Sequence, residues 1–73
     1  MEKAAFLKKL QDVLQKDGDI NEHDSLADMA EWDSLSMMAT VAFLKKNFNL
    51  TVDAARLGNL TTVSELTKLA NVK

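Results

Sequence analysis

The sequence predicts a small all-α fold: a four-helix bundle with three main helices, one short helix and a long first loop. Two observations carry this prediction. Apolar residues recur at helical spacing in separate stretches, and residues that favour helix starts precede several of these stretches. The chain has 73 residues, 47% of them hydrophobic, and no cysteine. This predicts one domain over residues 1–73, near the lower limit for a stable core without disulfides.

The first helix is predicted over residues 2–16. Its core-facing positions follow the expected periodicity and are Phe6, Leu7, Leu10, Val13 and Leu14. Gly18 is expected to form the C-terminal cap. Residues 17–32 then form a long polar loop. Ile20, Leu26 and Met29 are expected to pin this loop across the bundle, and Ser25 followed by Asp28 suggests one short helical turn.

The second helix is predicted from Ser34 to about residue 47 or 48, and it has more apolar surface than one buried face requires. The stripe assigned to the core is Met37, Val41, Leu44 and Phe48. A second stripe is Leu35, Met38 and Ala42, with Ala39 and Phe43 adding to the excess. A helix that is apolar nearly all round is either fully buried or presents a face to a partner. Because so short a chain can hardly bury the helix completely, we expect a partner face.

A short third helix and a fourth helix complete the prediction. Asp53 is expected to cap or enter the third helix, which ends at Gly58, with Val52 and Leu57 as core contacts. The fourth helix opens within residues 61–65, where Thr62 and Glu65 have the spacing of a capping box. Its expected buried residues are Val63, Leu66, Leu69 and Ala70.

Charge and composition argue against several classes of function. The net charge is −2, and the stretch from Asp12 to Asp33 holds eight acidic residues opposed only by Lys16. Nucleic-acid binding requires a basic face, so it is not expected. No apolar run could span a membrane and the N-terminus lacks the form of a signal peptide, so we expect a cytoplasmic protein. The acidic stretch is either a solvated loop or a field that steers basic partners.

No metal site is expected either. The chain has no cysteine, and its single histidine, His23, is expected to be solvated in the acidic loop. Asp17, Asp19 and Glu22 loosely resemble a calcium loop, but the full spacing and the terminal bidentate glutamate are missing.

The segment from Glu31 to Leu35 is the stretch around which the chain is organised. Asp33 is a good helix N-cap, which places Ser34 at the first helical position beside the positive end of a helix dipole. A phosphate attached to this hydroxyl would be well placed. Nothing nearby resembles a catalytic base, so Ser34 is interpreted as an attachment point and a hydrolase is not expected.

The order of these features resembles the acyl carrier protein family. A long helix, a long loop, Asp33-Ser34-Leu35 at the start of helix two, a short helix three and Thr61-Thr62-Val63 at the start of helix four recur there in this order. Phe48, Val52 and Leu60 match further positions of the family. Trp32 before the motif is a variant associated with carriers outside mainstream fatty-acid synthesis.

The resemblance implies a covalent 4′-phosphopantetheine on Ser34, donated from coenzyme A by a separate phosphopantetheinyl transferase. Its terminal thiol would hold acyl groups as thioesters for acyl-loading and acyl-processing enzymes, while the chain itself catalyses nothing. Asp33 would orient the helix start, and Leu35 would contact partner enzymes. The partner-docking residues implied by the resemblance are Trp32, Met38 and Ala42. The residues expected to line an acyl pocket are Val41, Leu44, Val52 and Leu60.

One departure from the family concerns charge. Many fatty-acid carriers have an acidic second helix, whereas Ser36 and Ala39 are neutral here and Lys45 and Lys46 end the helix in positive charge. Lysines also suit a helix C-terminus through the dipole alone. We therefore expect a specialised carrier that docks more through apolar contact than through charge.

Several alternatives stay open. The cargo could be an acyl group for fatty-acid, polyketide or specialised acyl biosynthesis, or an aminoacyl or peptidyl group. The chain could instead be a helical adaptor with no prosthetic group, in which Ser34 is an ordinary helix-start serine. Trp32 is expected to cover the end of helix two, and the alternative is contact with the pantetheine arm. The apolar stripe could form a dimer, although a monomer with transient docking is favoured.

Overall fold

A computed structural model describes residues 1–72 and contains four helices: α1 (Lys3–Leu14), α2 (Ser34–Phe48), α3 (Ala54–Gly58) and α4 (Val63–Leu69). Within these residues the only β-type pairing is one isolated bridge between Ser25 and Thr62. The predicted all-α architecture, with one short helix and a long first loop, is therefore confirmed. None of the four helices combines the length and the apolar character needed to cross a membrane.

The core forms where α1 packs against α2 and the other elements close over them. Its buried apolar residues are Phe6, Leu10, Leu14, Ile20, Leu26, Phe43, Leu44, Val52, Leu57, Val63, Leu66 and Ala70. At the centre the ring of Phe6 lies 5.7 Å from those of both Phe43 and Phe48. Burying a large side chain of this kind contributes about 1.5–3 kcal/mol, so the aromatic cluster fixes how α1 sits on α2.

Helix α1 ends earlier than the sequence predicts, and Gly18 is not its cap. The left-handed position is Gln15, with a φ of 54°, and the N–H groups of Gln15 and Lys16 donate to the carbonyls of Asp12 and Gln11. These bonds satisfy the last carbonyls of the helix. Because Gln15 adopts the left-handed conformation, a glycine is not required there. Gly18 uses its own positive φ of 96° in the loop that follows.

The long loop is pinned to the start of α4. Leu26 donates its N–H to Thr61 (2.8 Å), and Val63 donates to Asp24 (3.0 Å). Ile20 and Leu26 are buried and Met29 is partly buried, as the sequence predicts. The turn expected at Ser25 is present as a bond from the Asp28 N–H to the Ser25 hydroxyl (3.3 Å), without a helix.

A salt bridge ties the same loop to α1. The Lys3 ammonium lies 2.7 Å from a carboxylate oxygen of Glu22. Its hydrogen bond and positive charge lower the pKa of Glu22 below the usual glutamate value. The loop is thus held near its middle, at Glu22 and at residues 24–26, before it reaches Ser34.

Helix α2 is rotated relative to the sequence prediction. Its buried residues are Ser36, Thr40, Phe43 and Leu44, whereas Met37, Val41 and Phe48 are only partly buried. Phe43, expected to add to the surplus apolar surface, belongs to the core. The rotation is possible because the buried Thr40 hydroxyl donates to the carbonyl of Ser36 (2.8 Å), so no unpaired polar group enters the core.

The caps of the last two helices follow the prediction. The Asp53 carboxylate accepts from the Arg56 N–H (2.8 Å), and α3 ends after Gly58. Thr62 and Glu65 form the expected capping box at the start of α4. In α4 the buried positions are Val63, Leu66 and Thr67, with Ala70 just beyond the helix; Leu69 is only partly buried.

Candidate functional site

The start of α2 is fixed by a reciprocal capping box. Asp33 is extended, and its carboxylate accepts from the N–H of Ser36 (2.9 Å). In return the Ser36 hydroxyl accepts from the N–H of Asp33 (2.8 Å). Two N–H groups that a helix start leaves unpaired are therefore satisfied by side chains.

Ser36 and Thr40 support this cap from the buried side of the helix. Ser36 is only 8% exposed, and its hydroxyl also donates to the carbonyl of Asp33 (3.0 Å). Thr40 is fully buried and bonds to the carbonyl of Ser36. Neither residue is predicted from the sequence to belong to the site, because both stand out only as polar interruptions of an apolar helix. The one signal that could have revealed Ser36 is its spacing of three residues from Asp33.

Ser34 itself is exposed at the first position of α2. Within residues 1–72 its hydroxyl has no hydrogen-bond partner, and neither do the N–H groups of Ser34 and Leu35. Such N–H groups at a helix start favour negatively charged oxygens. The site thus offers an accessible hydroxyl beside two free N–H donors, which fits a covalently attached phosphate ester.

Trp32 lies just before the cap and is partly buried against the core. Its N–H donates to the carbonyl of Met29 (3.0 Å), which continues the chain of turns that leads into α2. The indole Nε1 is buried and has no partner among the described residues. Trp32 therefore anchors the backbone that enters the capping box.

An open cleft of about 470 Å³ lies beside the start of α2, between the end of α1 and the last residues of the loop. Its lining comprises Val13, Leu14, Gln15, Glu31, Asp33, Leu35, Ser36 and Ala39. Three of these residues are within two positions of Ser34. The lining therefore combines two acidic residues, Glu31 and Asp33, with apolar residues.

The second apolar stripe of α2 is exposed, as the sequence predicts. Leu35 is 79% exposed and Met38 is 64% exposed, and Ala39 and Ala42 are also at the surface. Met38 follows Ser34 by one helical turn, so the stripe begins beside the candidate attachment position. No described residue covers it.

The four residues expected to line an acyl pocket lie within or against the core. Leu44 is fully buried, and Val52 is nearly so. Val41 and Leu60 are partly buried and pack against the same cluster. The structure therefore brings the four to one apolar region, on which α2 and the segments flanking α3 converge.

The acidic loop carries negative charge, but its described residues form no cluster that could bind a metal ion. Residues 1–72 contain no group of three His, Asp or Glu side chains placed to hold a metal ion. The His23 side chain is 84% exposed and lies 3.6 Å from Glu22, far along the chain from Ser34.

Comparison with protein families matches residues 4–70 to the family described as "Phosphopantetheine attachment site". That match covers most of the chain. The protein belongs to the phosphopantetheine-attachment family. No match was found among curated proteins or among solved structures.

Membership identifies the chain as a phosphopantetheine carrier, and the family assignment and the helical fold agree with the acyl carrier proteins. The family carries a covalently attached 4′-phosphopantetheine, which brings a thiol to a chain that has no cysteine. A carrier of this kind interacts with a transferase that attaches the group and with the enzymes that use it. Family members are generally non-catalytic.

The capping box predicts unequal effects for two neighbouring serines of the carrier. Ser36→Ala removes the hydroxyl that accepts from the Asp33 N–H. This change is expected to lower the free energy of unfolding by about 1 kcal/mol. Ser34→Ala removes a hydroxyl without partners and is expected to change it by less than about 0.5 kcal/mol. Urea denaturation of both variants measures the difference. Equal losses would contradict this account of the helix start.

Proposed function

We propose that Ser34 is the residue to which 4′-phosphopantetheine is attached and that the chain is an acyl carrier protein. The observation that carries the proposal is the exposed Ser34 hydroxyl at the start of α2, beside two N–H groups without partners within residues 1–72. A phosphate ester on this oxygen would lie at the positive end of the helix dipole. The bound group would supply a flexible arm whose thiol holds acyl intermediates as thioesters.

In this proposal the chain's own residues position the Ser34 hydroxyl and catalyse no step. Asp33 and Ser36 hold the first turn of α2 in place, so the Ser34 hydroxyl is offered to the transferase at a fixed position. Leu35 stands beside it as an exposed apolar contact. Attachment and loading are carried out by separate enzymes with their own catalytic groups.

The proposed cargo is an acyl group for fatty-acid, polyketide or specialised acyl biosynthesis. Support comes from the apolar region formed by Val41, Leu44, Val52 and Leu60, which would shelter an acyl chain. Leu44 and Val52 are closely packed in the structure, so sheltering a chain requires these side chains to move apart.

The proposed partner surface comprises Trp32, Met38 and Ala42. Met38 and Ala42 are exposed on one face of α2, and methionine adapts to varied surfaces. Trp32 is partly buried, so only the exposed part of its side chain would contact a partner. We further propose that the carrier is monomeric and cytoplasmic. We also propose that its partners are dedicated to it, since the face that many fatty-acid carriers make acidic is apolar here.

The attachment proposal predicts a mass change that depends on one serine. The protein is incubated with coenzyme A, magnesium and each of several phosphopantetheinyl transferases, and intact mass is measured. We expect the parent and Ser64→Ala to gain one phosphopantetheine and Ser34→Ala to gain none. If no transferase modifies the folded parent, the chain is an adaptor rather than a carrier.

The cargo proposal predicts that stability depends on the length of the acyl chain. Holo protein is loaded enzymatically with an acetyl or an octanoyl group, and thermal unfolding is followed. Octanoyl is expected to give the higher midpoint, because each buried methylene contributes up to about 0.8 kcal/mol. Equal midpoints would show that the octanoyl chain stays in solvent. Leu44→Ala opens space within the apolar region, so it should increase the difference in midpoint between the octanoyl and acetyl forms.

A further inference from the structure

The exposed side of α2 forms one continuous surface with three parts, which we call the docking face. Its middle is the apolar stripe of Leu35, Met38, Ala39 and Ala42. At the C-terminal end of α2 it ends in the lysine pair, Lys45 and Lys46. At the N-terminal end of α2 it includes the rim of the cleft beside Ser34, which Glu31, Asp33 and Leu35 line together.

Helix geometry places the lysine pair on the same side of α2 as the apolar stripe. Leu35, Ala42 and Lys46 follow the spacing i, i+7 and i+11, and Met38 and Lys45 are separated by seven residues. Residues at these intervals lie in line along a helix. Eleven residues at 1.5 Å each put Lys46 about 16 Å from Leu35. A partner that covers the stripe therefore reaches both ends of it.

The charges at the two ends are opposite, and at Asp33 one carboxylate oxygen also accepts from the Ser36 N–H. In the described part of the chain the ion pairs are those of Glu22 with Lys3 and with His23, and neither end of the docking face takes part in them. Lys45 makes only long contacts, at 3.3 Å to the Asn49 side chain and 3.5 Å to that of Thr51. Both lysines are exposed.

We propose that the enzymes acting on Ser34, the transferase among them, dock with an apolar patch bordered by acidic side chains, which face Lys45 and Lys46. At the opposite border a basic side chain of the enzyme faces Glu31 and Asp33. The inference rests on the proposed function. Opposite charges across such a contact fix the register of the partner and reject enzymes with the reverse pattern.

The helix dipole alone does not account for this arrangement. It favours lysines in the last turn of any helix, whatever lies on the face above them. Here the pair continues an exposed apolar stripe that begins at the attachment position. The partner therefore meets apolar and charged groups in a fixed order along α2.

The chain provides a matched control for a charge-reversal test. Lys8 and Lys9 are also adjacent, exposed lysines, but they lie on α1, away from Ser34. K8E/K9E and K45E/K46E change the net charge equally, so non-specific attraction changes equally in both. K45Q/K46Q removes the charge without placing acidic groups at the end of the helix, which guards against a failure to fold.

The experiment measures kcat and KM of the transferase that modifies the parent fastest, with each carrier variant as substrate, in low and high salt. Circular dichroism confirms that the variants are folded. K45E/K46E is expected to raise KM at least tenfold in low salt with kcat little changed. K45Q/K46Q should give an intermediate value, and K8E/K9E should stay within twofold of the parent.

Two results would overturn the inference, and they are distinguishable. If K45E/K46E and K8E/K9E behave alike, or if K45E/K46E improves KM, the enzyme does not place acidic groups against the lysine pair. The attachment proposal would survive that result. If no transferase modifies the parent at all, the proposed function fails and the inference fails with it.

Discussion

The reciprocal bonds between Asp33 and Ser36 are the interaction on which the site depends. They satisfy two N–H groups at the start of α2 and use the Ser36 hydroxyl and one oxygen of the Asp33 carboxylate in doing so. What remains at the helix start is one accessible hydroxyl, on Ser34, beside two N–H groups that no described residue contacts. The cap therefore selects which of two neighbouring serines is presented to solvent.

The rest of the bundle serves to hold this helix start in place. Phe43 and Phe48 pack against Phe6 of α1, which fixes the rotation of α2 about its axis. That rotation buries Ser36 and Thr40 and turns Leu35 and Met38 outward. A chain this short buries only part of its apolar surface. Here the surplus lies on one face of α2, beside the proposed attachment position at Ser34.

Local signals in the sequence were enough to predict the helix starts. Asp33, Asp53 and Thr62 cap their helices as expected, because N-capping depends on residues only three positions apart. The end of α1 was predicted wrongly. Gln15 takes the left-handed position, and the N–H groups of Gln15 and Lys16 donate back to carbonyls of the helix, which residue preference alone does not reveal.

The orientation of α2 also required the three-dimensional structure. Val41 and Phe43 are both apolar and differ by about 200° around a helix, so composition does not decide which one faces the core. The aromatic contact with Phe6 decides it, and that contact depends on residues far apart in the chain. The role of Ser36 was missed for a related reason. Glutamate or glutamine is the usual partner in a capping box, and serine at that position gives a weak signal.

The most direct test of the central claim is to locate the attached group within the modified peptide. The tryptic peptide of the modified protein spanning residues 17–45 contains both Ser34 and Ser36. Fragmentation by electron transfer, which preserves the phosphate ester, separates fragments that end between the two serines. The account predicts that the added mass lies wholly on Ser34, whose hydroxyl is exposed and without partners. Modification of Ser36 would contradict the account of the helix start, because its buried hydroxyl already accepts one hydrogen bond and donates another.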